Sequence, residues 1–352
     1  MSDKINTLKY EVGALLYSPA NTDKLLRQTV SQRIAPPYSA VLCLEDSVGD
    51  SAVEEAERFL LTTLLKINLI SQSTGKYIPK IFIRVRCPEQ AMSLYKRAGS
   101  SFRVVTGFVF PKYTLSNADA YNSAVRQINK SCDRPVYMMP ILESNDILSL
   151  TTRVAVLSQI KEKIADMDEL VLNIRVGGND FCSAFGLRRS INQTIYDIGV
   201  INSCLTDILN IFAQDYVVSA PVWEYFDTGT SDAWMKGLKR ELKLDRLNGF
   251  IGKTAIHPSQ VSVINKALRV TMSDYKDAVS ILDWSSDRSG VEKSRTNGRM
   301  NEVKCHTKWA LKTVALARTY GIIEEKPSVP KNRLDLVSVG GVSPLTIRTR
   351  TL

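Results

Sequence analysis

AVLCLE at residues 40–45 is followed by SAVEEAERFLLTTLLKINLI at residues 51–70 and by KIFIRVR at residues 80–86. The first and third pieces are short, nearly continuous apolar runs, the pattern of strands buried on both faces of a parallel sheet. The piece between them opens on Ser51, carries Glu54 and Glu55 in its first turn and continues with a leucine-rich face, which predicts a helix. The same unit recurs on both sides. GALLYS (13–18) precedes it, and GFVFPK (107–112), YMMPILE (137–143), LVLNIRV (170–176), YVVSAPV (216–222) and GFIGKTAIH (249–257) follow. Eight strand-like runs alternating with helix-length segments predict an α/β protein, a (β/α)8 TIM barrel. A doubly wound open sheet would more often carry a GxGxxG first turn, and none is present.

The remaining chain divides by composition. Residues 1–258 are read as the barrel, 259–326 as a C-terminal helical arm and 327–352 as an extended tail. Residues 285–298 (SSDRSGVEKSRTNG) read as a loop, and EVKCHTKWALKTVALARTY (302–320) as a basic amphipathic helix. The formal net charge of +10, from 46 Lys and Arg against 36 Asp and Glu, is uneven. Residues 290–352 hold twelve bases and five acids, so the arm and tail carry most of the excess. A solvated helix face or a contact with a neighbouring subunit explains this better than nucleic acid, because no RNP-like motif is present. The six cysteines lack CxxC spacing and read as small apolar thiols. No window of eighteen apolar residues suggests a membrane span, and the first residues lack an apolar signal core, so a cytoplasmic protein is expected.

In such a barrel the chemistry gathers at the C-terminal ends of the strands. Those ends carry Asn21, Glu45 and Asp46, Arg84 and Arg86, Lys112, Glu143, the run Gly177-Gly178-Asn179-Asp180, and His257. Acids and bases crowded at one end are costly unless they pair or hold a metal. Glu143 and Asp180, with no His or Cys beside them, suit Mg²⁺ or Mn²⁺ rather than zinc. Taken singly, each acid could equally cap a helix or pair with an arginine.

These segments resemble the HpcH/HpaI aldolase and citrate lyase β-subunit-like family of TIM-barrel C–C bond lyases. LYSPANTDKLLRQ is similar to the family's L-x-x-P-G-N opening, AVLCLEDSV to its LEDAV and FIRVR to its VRVN. GFVFPK, MMPILES and TAIHPSQVSVIN resemble GIVLPK, PLIET and CIHPSQI-x-x-VN. RVGGNDFCSAFGLRR is similar to a branch encoded in bacterial tellurium-resistance-associated biosynthetic operons.

The resemblance implies a metal on Glu143 and Asp180, and Arg84 at the substrate carboxylate and developing enolate. It implies Asp46 near the metal, and Glu302, in GRMNE, reaching the site of a neighbouring subunit in a homotrimer or hexamer. Arg86, Asn21, Lys112, Gly177 and Gly178 are the expected substrate contacts. Arg86 stands where the family has Asn and would suit a second carboxylate or a phosphate. The expected reaction is metal-dependent cleavage or formation of a β-hydroxy acid, or of its CoA thioester, through an enolate. Asp46 and Glu302 are the candidates for moving protons. His257 is expected to serve a structural hydrogen bond. Lys112 is expected to pair with Glu45, Asp46 or Glu143 rather than to form a Schiff base. Trp223 and Tyr225 are expected to pack as a lid. Competing readings are a thioester hydrolase or synthase on the same fold, and a non-catalytic scaffold that uses its basic arm.

Overall fold

The computed structural model describes residues 7–284, 290–294 and 298–324. Strands and helices alternate in chain order as β1 (Ala14–Pro19), α1 (Lys24–Ser31), β2 (Ser39–Cys43), α2 (Val53–Ser73), β3 (Lys80–Arg84), α3 (Pro88–Ala98), β4 (Val105–Phe110) and α4 (Ala118–Ser131). There follow β5 (Tyr137–Leu142), α5 (Arg153–Ala165), β6 (Ile174–Val176), α6 (Gly178–Ala184), α7 (Gly199–Phe212), β7 (Val218–Ser219), α8 (Ala233–Asn248), β8 (Lys253–Ala255) and α9 (Pro258–Ala267). Every pair of neighbouring strands is parallel, in the order β7-β6-β5-β4-β3-β2-β1-β8. The Ala220–Lys253 bridge and hydrogen bonds from Ile251 N to Val218 O and Ala220 N to Gly252 O close the ring between β7 and β8. The expected (β/α)8 barrel is therefore the fold.

The apolar runs are continuous because both faces of each strand are covered. One face packs on the helices: Leu16, Leu42, Ile83, Phe108 and Phe110 belong to the large outer cluster. The other face fills the barrel: Leu15, Val41, Cys43, Phe82, Val109, Met139, Ile141 and Leu172 form a separate interior cluster. That plug occupies the body of the barrel and leaves the C-terminal ends of the strands to polar side chains.

Lys253 points outward from β8 into a buried charge cluster. Its Nζ lies 2.8 Å from Glu241 Oε1 and 2.9 Å from Asp245 Oδ2, both on α8, and Arg189 Nη1 lies 3.0 Å from Glu241 Oε2. Mutual pairing is what makes burial of these four charges tolerable.

Beyond α9 come β9 (Val270–Thr271), α10 (Met272–Leu282), β10 (Val291–Lys293), β11 (Met300–Glu302), α11 (Val303–Tyr320) and β12 (Ile322–Ile323). The expected loop at 285–298 thus includes a strand, β10, which pairs antiparallel with β11; residues 285–289 and 295–297 lie outside the described residues. The tail expected at 327–352 lies outside them too. Helix α11 runs across the N-terminal end of the barrel. Lys308 Nζ donates to Gln214 O (3.2 Å), just ahead of β7, and the Tyr320 hydroxyl donates to Tyr10 O (3.0 Å), just ahead of β1. Gly13 admits that tyrosine: it has φ +54°, and a β-carbon there would stand 2.2 Å from the Tyr320 hydroxyl. The apolar face of α11 is thereby buried within the same chain, with Leu316 and Ala317 beside Val217, Ile251 and Val270. Among the described residues no helix is long and apolar enough to cross a membrane.

Candidate active site

Parallel register sets the site. Cys43 lies beside Arg84, Arg84 beside Val109, and Leu142 beside Val176, so the residues just past these positions emerge at one level. Arg84, at the end of β3, is buried, and its guanidinium meets three carboxylates. Nη2 lies 2.7 Å from Glu45 Oε2 and 3.1 Å from Glu143 Oε1, and Nη1 lies 3.0 Å from Asp46 Oδ2. Lys112 joins the cluster twice. Its ammonium lies 2.5 Å from Glu45 Oε1, and its backbone N–H donates to Glu143 Oε1 at 2.9 Å. The second bond depends on a left-handed backbone at Lys112, φ +47°.

Glu143 is therefore held by one oxygen. No hydrogen bond from a described residue reaches its Oε2, which faces Gly177. A β-carbon on Gly177 would stand 2.4 Å from Glu143 Oε2, 2.3 Å from Glu143 Cβ and 3.1 Å from Asp180 Oδ2. Glycine at this position is what lets the two carboxylates converge. Burial pushes the Glu143 carboxyl up to about 7; Arg84 opposes the rise and Asp180 adds to it. Such a carboxylate gains from a cation that would hold it ionised. The donor set is two carboxylates, and among the described residues no group of three or more His, Cys, Asp or Glu gathers to form a metal cage. Hard oxygen donors with open positions for water and substrate fit Mg²⁺.

Partial burial works to raise the Asp46 pKa, but Arg84, a hydrogen bond with Glu45 and Lys112 outweigh it and hold the carboxyl below its usual range. Asp46 is exposed and ionised at neutral pH. Asn21 is exposed in the turn after β1, clear of these ion pairs. Gly178 is tightly packed: a β-carbon there would meet Ile195 and Pro221 at 2.6 and 2.7 Å. His257 caps α9 through Nδ1, which accepts from Ser259 N, and its ring stacks on Phe226. Trp223 is fully buried, donating from Nε1 to Trp234 O.

Two expected residues lie elsewhere. Arg86 stands two residues past β3, and its guanidinium turns onto the loop after β2. There it donates to Leu44 O (2.7 Å), Val48 O and Asp50 Oδ1 (2.5 Å), so it organises that loop instead of offering a free head to substrate. Glu302 opens α11, which lies across the opposite end of the barrel. Cys305 and Lys308, within two turns of it, line a surface pocket with Asp168 and Gln214, ahead of β6 and β7. Glu302 thus cannot serve the site of its own chain. The carboxylate convergence over Gly177 and the double use of Lys112 are the features that sequence reasoning did not supply.

A barrel whose C-terminal rim brings together an arginine and convergent carboxylates defines a class of enzymes that handle charge beside a carbonyl. The chain belongs to the family of C–C bond lyases of the TIM-barrel fold, matching it over residues 6–322. It is 24% identical to the mitochondrial citramalyl-CoA lyase of Rattus norvegicus over 270 residues, spanning 73% of this chain and 71% of the rat enzyme. The Mus musculus enzyme is 22% identical over 269 residues, with the same shares. A citrate lyase from Burkholderia xenovorans shares the fold with a TM-score of 0.63 at 14% identity, covering 90% of this chain and 94% of its own. CitE from Mycobacterium tuberculosis, solved with magnesium, acetoacetate and coenzyme A, has a TM-score of 0.54 at 17% identity, covering 88% and 99%.

Proposed function

We propose that this lyase acts on a small β-hydroxy acid or its CoA thioester, with Mg²⁺ held by Glu143 and Asp180. The observation that carries the reading is the meeting of those two carboxylates across Gly177, beside Arg84. The thioester form is supported by the citramalyl-CoA lyases among its relatives. Bound there, Mg²⁺ would supply Lewis-acid polarisation of substrate oxygens.

The chain's own residues do the rest. Breaking the bond next to a carbonyl leaves an electron pair that must be held as an enolate, and Arg84 brings a fixed positive charge to that place. Glu45 fixes the Arg84 head by pairing with it, and Lys112 holds Glu45 in turn, so the charge needs no rearrangement as the reaction proceeds. Asp46, ionised and exposed at the rim, is equipped to accept the hydroxyl proton, directly or through water. Glu302, presented by a neighbouring subunit, is the second candidate for moving a proton to or from the enolate.

Thermal unfolding with Mg²⁺ and oxalate or pyruvate tests the reading. Stabilisation that needs the metal and disappears in Glu143→Ala and Asp180→Ala is expected. No metal-dependent stabilisation of the unaltered protein would reject the reading in favour of a scaffold.

A further inference from the structure

Four arginines are buried in the described structure: Arg84, Arg153, Arg175 and Arg189. Three of them sit on carboxylates. Arg84 meets Glu45, Asp46 and Glu143, Arg153 meets Asp207, and Arg189 meets Glu241. Arg175 meets none among the described residues. It projects from β6 into the barrel and is 2% exposed. Its Nη1 donates to Asn173 Oδ1 (3.2 Å) and its Nη2 to Thr254 Oγ1 (2.6 Å), and the Tyr17 phenol lies near it. All three neighbours are neutral, and its buried Nε has no partner. Removing a guanidinium from water without a counter-ion is costly, and burial pulls the Arg175 pKa below its usual value. A charge kept under those conditions calls for an anion that arrives from outside.

The position says which anion. Arg175 pairs in register with Ile141, two residues before Glu143, and its strand leads directly to Gly177 and Asp180. It therefore sits one step deeper in the barrel than the two convergent carboxylates. Tyr17 on β1 and Thr254 on β8, the strands that stand beside each other in the ring, are only part-buried. Tyr17 also feels the charges of Arg84 and Glu143. The charge balance agrees. Arg84 and Lys112 offset Glu45 and Asp46, and a divalent cation would offset Glu143 and Asp180, which leaves Arg175 over.

We infer that Arg175, with the hydroxyls of Tyr17 and Thr254, receives a second carboxylate on the 2-oxo acid half of the substrate, so that this lyase selects dicarboxylic over monocarboxylic acids. The inference rests on the metal-dependent site proposed above. It gives Arg175 the task that the sequence suggested for Arg86.

Calorimetric titration of the whole chain in Mg²⁺ tests it with acids matched in length, 2-oxobutyrate against oxaloacetate and 2-oxovalerate against 2-oxoglutarate. At least one dicarboxylate should bind about tenfold tighter than its partner, the worth of a charge-assisted hydrogen bond to carboxylate. In Arg175→Met that ratio should collapse, and in Thr254→Val, a milder change, it should shrink. Equal affinities within both pairs in the unaltered protein would overturn the inference while leaving the metal site standing. A preference that survives Arg175→Met would overturn it too. If Arg175→Met does not fold, the unaltered protein and Thr254→Val decide alone. Absence of any Mg²⁺-dependent binding would instead remove the metal-site reading, and the inference with it.

Discussion

Arg84 Nη2 stands 3.1 Å from Glu143 Oε1, the oxygen that also accepts the Lys112 backbone N–H, so Arg84 constrains Glu143 without occupying the oxygen that faces Asp180. Glu143→Gln keeps the size of the side chain but removes its charge. Mg²⁺ binding measured by calorimetry should be lost, while the circular dichroism spectrum stays that of the barrel. Retained metal affinity would place the cation elsewhere.

Gly177→Ala should be disruptive in two ways. The added methyl would collide with Glu143 Cβ as well as its carboxylate, so the strand end must move. A loss of about 1–3 kcal/mol in denaturant unfolding is expected from such overpacking, together with lost Mg²⁺ binding. A variant that binds the metal normally would show that the convergence is not needed.

Lys253→Met tests the buried cluster behind β8. Glu241 and Asp245 would lose their shared cation inside the protein, and breaking a buried ion pair in this way costs about 3–5 kcal/mol. Urea unfolding should show that loss. A change below about 1 kcal/mol, the range of surface pairs, would mean the charges are solvated.

The arm should loosen in acid. Burial works to raise the Asp277 pKa, but hydrogen bonds from Ser294 and Arg299 outweigh it and hold the carboxyl below its usual value. A depressed carboxyl stabilises the fold above its unfolded pKa, and that stabilisation is lost as pH falls through the lower, folded value. Protection against hydrogen exchange over residues 298–309, taken relative to the intrinsic rate at each pH, should therefore fall on acidification below about pH 4. Asp277→Asn should flatten the dependence, and an unchanged profile would rule this linkage out.

Glu302 is expected to work only across subunits. Glu302→Gln and Arg84→Ala should each be inactive alone, and mixed oligomers of the two should regain activity, because some sites then combine intact halves. No recovery after confirmed subunit mixing would remove Glu302 from the chemistry.

The barrel was legible because its strands are buried on both sides, which leaves apolar runs that no surface strand would carry. Residues that share a strand end, such as Glu143 and Arg84, could be placed by order alone. Side-chain direction past a strand end could not. Arg86 lies two residues beyond Arg84, so strand alternation would aim both inward, but β3 stops at Arg84 and the chain turns. Arg175 shows the converse. Its isolation from carboxylates is a property of Tyr17 and Thr254, which come to it from opposite ends of the sequence.

Lys112 has one further consequence. Its ammonium serves Glu45, but its service to Glu143 is done by the main chain, in a left-handed conformation that glycine adopts more readily than lysine. Descendants of this sequence could exchange the lysine for glycine and keep the orientation of Glu143 intact. A scan that swaps side chains would record Lys112 as a dispensable partner of Glu45, and would be blind to the half of its work that no ordinary substitution can erase.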